Sequence, residues 1–370
     1  QGAPACTGSA LCSVLANLAM NETFRGSFAE PFLSKSAGSG GRTSTVAAAL
    51  VLVAGDTKAD RSEARTVALA ALVNALQAAT FSAGGLSLAL ATLSLGGEDR
   101  ARYAPPLVAA RSAGLLARLS PHPGALEAMV CPGVFDRIVQ ATVRSSTLGG
   151  DLYTPTAPAH HKEDTTVDAS MASAAKTAAH AIERENLVRT LGSILRSKAP
   201  PTPPAAGYRT HAAASPAPSS NVPAPLVVVA KDSRAYLVDY AEKAKLAAAL
   251  VSFLPPARED GVEGVTAASA PLRPEWRAPP AVTANVCACL LHLLDSEPSG
   301  HIAKQVVGAG GIPRLVSLFA NSGVEGGGLS ARTNAAICLA KLAREPLHKQ
   351  MIAELRGMEM LVQAGSGLAA

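Results

Sequence analysis

Between Arg332 and Arg344 the apolar residues fall at Ala335, Ala336, Leu339, Leu342 and Ala343, the i, i+1, i+4, i+7, i+8 spacing that lines one face of an α-helix. The same five positions return 49 residues earlier as Val286, Cys287, Leu290, Leu293 and Leu294. They return near the start as Leu11, Cys12, Leu15, Leu18 and Ala19, and again as Ala68, Leu69, Leu72, Ala75 and Leu76. A weaker copy reads Ser112, Ala113, Leu116, Leu119 and Ser120. The stretch Ala174, Ala175, Ala178, Ala181 and Ile182 also fits, although alanine fits many patterns.

A second landmark follows four of these helices by 10 to 18 residues: a glycine, an apolar residue, then a further helix. Its copies are Gly85-Leu86, Gly133-Val134, Gly311-Ile312 and Gly357-Met358, and the best pair is GIPRLV at 311–316 with GMEMLV at 357–362. Pro313 sits near a helix start, where the missing N–H costs nothing, and the glycine before it allows a sharp turn between helices. The unit is therefore a long amphipathic helix, a short loop, a glycine turn and another helix, with neighbouring copies roughly 44 to 57 residues apart. No such unit can bury its apolar face alone, and stacking like units in a row does. The pattern predicts an all-α solenoid of the armadillo/HEAT type with Pro-rich loop insertions.

The residues also carry a family resemblance. GAGGIPRLVSLFANSG at 308–323 is similar to the start of an armadillo repeat, and ALCSVLANLA at 10–19 and NAAICLAKLA at 334–343 are similar to its third helix. The stretch TNAAICLAKLAREPLHKQMIAELRGMEML at 333–361 resembles the armadillo region of the tetratricopeptide repeat protein 12 family. That resemblance implies a cytoplasmic or cilium-associated scaffold for protein clients, with dynein chains or assembly chaperones as partners in building axonemal dynein arms. No tetratricopeptide unit lies in this chain. Because the sequence opens on Gln1 in what reads as mid-helix, it is expected to be a piece of a longer protein.

A polar line runs along the same helices. Asn334 and Lys341 are seven residues apart and share a face, as do Asn285 with His292 and Arg111 with Arg118, while Asn17 and Asn74 fill the later position in their helices. Any amphipathic helix has a solvated polar side, so a solvated face and a binding groove both remain open. The armadillo resemblance implies the groove: third helices line a concave surface, where asparagine bonds the backbone of an extended peptide and basic residues attract an acidic segment.

Composition supports the helical reading. Alanine supplies much of the 48% hydrophobic fraction and aromatic residues are only 4%, a mixture that favours close-packed helices over a large sheet. The 33 basic and 28 acidic residues are scattered, with no basic stripe of the kind a nucleic-acid reader shows. Val67 to Gly97 carries no charge and is long enough to span a bilayer, but Gly84-Gly85 breaks it and Asn74 and Gln77 lie within it, so it is expected to form two buried helices with no membrane partner.

The expected division is armadillo-like repeats over 1–150, a degenerate helical repeat over 151–198, a Pro/Ala/Ser-rich linker over 199–225, a helical repeat over 226–254, a Pro/Gly-rich loop over 255–280 and armadillo repeats over 281–370. Within it, helices are expected over Ala169 to Ser197 and Arg234 to Leu254. The insertions are either solvated filler or binding loops.

Little points to catalysis. The chain lacks a Gly-rich phosphate loop, a GxSxG elbow and an HExxH helix, so neither an enzyme nor a cofactor is expected. His160-His161 with Glu163 and Asp164 reads as a solvated loop able at most to bind a metal adventitiously. Cys6, Cys12, Cys131, Cys287, Cys289 and Cys338 do not form a disulfide framework and fit a reducing compartment. Cys287 and Cys289 point about 200° apart on a helix and are no zinc knuckle. Cys289 beside His292 and Cys338 beside Lys341 are either semi-buried packing residues or thiols activated by a nearby cation. Two functional readings follow: a scaffold that holds a client segment, or a structural axonemal or microtubule-associated solenoid.

Overall fold

A computed structural model describes residues 5–33, 43–57, 62–147, 167–197, 233–257, 280–297, 299–321 and 328–368. The His160-His161 loop and the Pro-rich stretch 199–225 lie outside the described residues, as does nearly all of 151–168 and of 255–280. The chain divides into two compact units, one formed by 1–138 with 197–236 and the other by 139–196 with 237–370.

The first unit begins with α1 (Ala5–Met20) and α2 (Glu22–Arg25), followed by β1 (Pro31–Leu33) and β2 (Thr43–Thr45). The two strands pair antiparallel, Phe32 opposite Ser44, as a small ribbon beside the helices rather than a core sheet. Then come α3 (Val46–Gly55), α4 (Ser62–Asn74), α5 (Gln77–Ser82), α6 (Gly85–Ser94), α7 (Gly97–Tyr103), α8 (Pro106–Leu119), α9 (Pro123–Val130) and the start of α10 (Val134–Thr147). The long helices α1, α4 and α8 lie side by side, α4 packing against both of the others. Leu69, Leu72, Leu116 and Leu119 along their seams are wholly buried, each worth about 1.5–3 kcal/mol relative to exposure. The expected bilayer-length stretch is in fact three short pieces, the end of α4, then α5, then α6. Among the described residues no helix is long and apolar enough to cross a membrane.

The second unit contains the end of α10, then α11 (Val167–Arg196), most of α12 (Ser233–Lys243), α13 (Leu246–Ser252), α14 (Pro280–Ser296), α15 (His301–Gly308), α16 (Gly311–Asn321), α17 (Gly328–Leu342), α18 (Pro346–Glu354) and α19 (Gly357–Leu368). A single helix over 234–254 was the expectation; the chain instead turns at Lys245 and forms two, α12 and α13. Here α14 packs between α11 and α17 as α4 does between α1 and α8. The repeating element is a triplet of two shorter helices and one long third helix, clearest in α12–α13–α14 and α15–α16–α17. Third helices stacked on third helices give the all-α, armadillo/HEAT-type solenoid arrangement that the periodicity predicts.

The turn between the first two helices of each triplet has one geometry. Its residue adopts a left-handed conformation at Gly84, Gly133, Lys245, Gly310 and Arg356. Three of the glycines singled out in the sequence, Gly85, Gly311 and Gly357, are not the turning residues. They are the first residues of α6, α16 and α19, and they are glycine because the preceding helix comes too close. A Cβ on Gly311 would stand 2.5 Å from Val306 Cγ1 and 2.6 Å from its carbonyl oxygen.

Arginines close many of the helix C-termini, where the last carbonyls have no partner within the helix. Arg65, 3% exposed, donates through Nε to Ala54 O at the end of α3 (3.1 Å) and through Nη1 to Tyr103 O at the end of α7 (2.5 Å). Burial pushes its guanidinium below the usual range, and the nearby Asp56 carboxylate opposes that shift. In the same unit Arg25 donates to Ala19 O and Met20 O at the end of α1. In the second unit Arg184 donates to Ser145 O near the end of α10, and Arg314 to Val251 O in the last turn of α13 and to Leu254 O just beyond it.

Candidate protein-binding face

The third helices of the second unit carry one five-position apolar pattern in a common register. In α14 and α17 it is the one read from the sequence. In α11 the Ala-rich copy at Ala174 to Ile182 is incorrect: Ala174, Ala175 and Ala178 are exposed, and Ile182 is 47% exposed. The buried copy lies 13 residues further on, as Leu187, Val188, Leu191, Ile194 and the half-buried Leu195. The same spacing was present in the sequence, hidden because alanine satisfied the pattern earlier.

The corrected register adds a residue. One position before the pattern stand Asn186 in α11, Asn285 in α14 and Asn334 in α17, all half-buried. Six positions into it stand Ser193, His292 and Lys341, also half-buried. Between these rows, on the outward side, lie Arg189, Ala288 and Ile337, of which Ala288 is half-buried and Ile337 is 39% exposed. Side by side, the three helices present an asparagine row, a small or apolar strip broken by Arg189, and a second polar row.

These rows are stitched to their neighbours. Asn334 Nδ2 donates to Ala284 O of α14 at 3.3 Å, beside the preceding asparagine of the row. Lys341 Nζ pairs with Asp295 Oδ1 of α14. Arg189 pairs with Glu185 of its own helix at 2.7 Å. The charges on this face are therefore largely matched within the protein. An asparagine amide has two N–H donors and a carbonyl acceptor, so one bond to Ala284 leaves Asn334 capacity for more.

The first unit lacks the asparagine row. The position before its pattern holds Ala10, Val67 and Arg111, and the later position holds Asn17, Asn74 and Arg118. Asn17, Arg111 and Arg118 are exposed and Asn74 is half-buried, so these side chains stand on accessible faces of α1, α4 and α8. The pattern in α1 is only partly buried: Cys12 and Ala19 are covered, whereas Leu11 is 60% exposed.

The thiols of Cys289 and Cys338 are neither semi-buried nor activated. Cys289 and Cys338 are wholly buried, and burial pushes both up to about 12, although Arg196 and Lys341 respectively pull the other way. Cys287 is raised by burial too, its neighbouring thiols adding to the effect.

No protein-family profile matches the chain, and no curated protein matches it in sequence. Among solved structures it is similar to a structural-genomics crystal structure of an engineered protein, at 13% identity over 91% of this chain and 92% of that one, with a TM-score of 0.47. It is also similar to a designed armadillo repeat protein in complex with the peptide (KR)4, at 12% identity over 90% and 92% of the two chains and a TM-score of 0.45. A second engineered protein aligns at 15% identity over 98% of this chain and 71% of that one, with a TM-score of 0.43.

Proposed function

We propose that the second unit is a protein-binding scaffold that holds an extended segment of a client protein along α11, α14 and α17. The observation that carries this is the recurrence of Asn186, Asn285 and Asn334 at one helical position on three stacked helices. Packed helices lie about 8–10 Å apart and an extended chain advances about 3.4 Å per residue, so successive asparagines meet the client backbone about every third residue. Bonding to backbone groups is independent of side chain, which suits a surface whose own charges are paired. The strip containing Ala288 and Ile337 takes small or apolar client side chains. The first unit, taken by itself, carries Arg111 and Arg118 exposed on α8, where they attract an acidic protein segment.

The resemblance at 333–361 supports a finer reading: a cytoplasmic factor in axonemal dynein-arm assembly, with a dynein chain or assembly chaperone as client. Its function is binding rather than catalysis.

The test is selection of short peptides on the wild-type protein from a random library, followed by titration calorimetry. Peptides selected on the wild type are expected to lose at least about tenfold in affinity for the Asn186→Ala/Asn285→Ala/Asn334→Ala protein, the loss of about 1.4 kcal/mol. Equal affinity for a triple variant with unchanged circular dichroism excludes the asparagine row as the binding element.

A further inference from the structure

Away from this face, three potential metal ligands converge where α12 ends and α15 begins. His301, the first residue of α15, lies with Nδ1 at 2.6 Å from Glu242 Oε1 in the last turn of α12. Glu297, just after α14, completes the group, and one ligand atom from each of the three lies within 4.8 Å of the others. We propose that Glu242, Glu297 and His301 form a surface site for a divalent cation of the Zn2+ class, which clamps α12 to α15.

The donor set suits such an ion. One imidazole nitrogen with two carboxylates is a borderline-soft mixture that favours Zn2+ over Mg2+, which prefers oxygen and water alone. Zinc holds such atoms at about 2.0–2.2 Å, so ligands around a tetrahedral ion stand about 3.4 Å apart. Reaching that spacing needs the His301–Glu242 contact to open slightly and the widest pair to close by at most about 1.4 Å, within the range of rotamer changes for half-buried or exposed side chains. The metal takes the place of the direct contact between the imidazole and Glu242.

The surroundings hold two of the ligands already. Glu297 Oε1 accepts from the His301 N–H at 3.3 Å and from the Ser299 hydroxyl, and Oε2 accepts from the Ile302 N–H at 2.9 Å. A carboxylate fixed by outer hydrogen bonds is the arrangement that orients metal ligands, and Oε2, which accepts only once, keeps a lone pair for an ion. On the other side Gln305 Nε2 donates to Glu242 O at 2.7 Å, which fixes the end of α12 against α15. The side chain of His301 is 54% exposed, so the site has an open approach and room for water to complete the coordination.

Calorimetric titration of the whole chain with ZnCl2 tests the site, read together with the thermal unfolding midpoint. Saturable binding and a raised midpoint are expected, both weakened by about ten- to a hundredfold in apparent affinity by His301→Ala and by Glu242→Gln. The His160→Ala/His161→Ala protein is expected to bind as wild type does, and Mg2+ is expected to leave the midpoint unchanged. The proposal is overturned if Zn2+ produces no saturable heat, if the His301 and Glu242 substitutions leave binding intact, or if replacing His160 and His161 abolishes it, the mark of an adventitious ion only.

Discussion

The Cys338 thiol donates to the carbonyl of Cys287 on the neighbouring third helix, Sγ to O 3.4 Å, and one helix earlier Cys289 donates to Val188 O at 3.6 Å. Both cysteines occupy the same position in the repeat, three residues into the apolar pattern, so the contact is a rung that recurs from α11 to α14 to α17. Of the equivalent residues in the first unit Ala71 and Leu115 are wholly buried, while Val14 of α1, which has no preceding third helix among the described residues, is 55% exposed; Thr190 of α11 is wholly buried. This position faces the preceding helix, and a small thiol there permits close approach.

Because burial holds Cys289 and Cys338 at about 12 while an unfolded thiol titrates near the ordinary 9.0, the folded protein keeps two protons that the unfolded chain sheds. Stability from these groups is complete below pH 9 and is lost as the pH rises towards 12. Denaturant titrations across that range are expected to show a steeper alkaline loss for the wild type than for Cys289→Ala/Cys338→Ala. In native protein at pH 8, iodoacetamide is expected to modify the half-buried Cys131 well before either, as followed by peptide mass spectrometry.

The two residues of the α15–α16 turn fail for different reasons. Gly311→Ala forces a methyl into Val306 and is expected to cost about 1–3 kcal/mol. Gly310→Ala meets nothing within 4 Å but strains a φ of 72°, at about 1–2 kcal/mol. Lys245 holds the corresponding turn before α13 at φ 55°, so Lys245→Gly is expected to stabilise by up to about 1 kcal/mol. Urea midpoints of the three proteins check the order.

Arg65→Met removes the donors from two helix ends at once and is expected to destabilise by about 2–3 kcal/mol. Arg65→Lys is expected to recover little of it, since an ammonium cannot reach Ala54 O and Tyr103 O together as a guanidinium fork does. Thermal unfolding of both variants measures this.

Across the two polar rows, stability and binding separate. Asn334→Ala is expected to lose about 0.5–1.5 kcal/mol with its bond to Ala284 O, while Lys341→Ala, which breaks a partly exposed pair with Asp295, is expected to lose about 0–1 kcal/mol. Single-variant urea titrations alongside peptide titrations distinguish a residue that holds α17 in place from one that also holds a client.

The helical class, the stacking of third helices, the copies in α8, α14 and α17 and all but the last position of the copy in α4 were legible from apolar spacing alone, because the buried leucines there leave one choice of face; Leu76 falls beyond α4 and is 42% exposed. The register of α11 was not, since alanines at 174–181 satisfy the pattern without being buried, and Asn186 was lost with it. The glycine landmark was visible but its cause was not: a left-handed turn and a close helix approach each select glycine, and the sequence does not say which acts at Gly84 or Gly85. Lys245 and Arg356 make the same turn without glycine and left no mark. Capping arginines were equally silent, as a guanidinium that ends a helix across the fold looks in sequence like any surface charge.

That silence bears on how the molecule meets a polyanion. A formal excess of +5 suggests a mild attraction to nucleic acid or acidic membrane, yet Arg25, Arg65, Arg184 and Arg314 spend their donors on carbonyls of their own backbone. Retention on heparin should accordingly fall slightly short of what a tally of residues forecasts, since four of the 33 basic side chains aim their donors inward as mortar between helix ends.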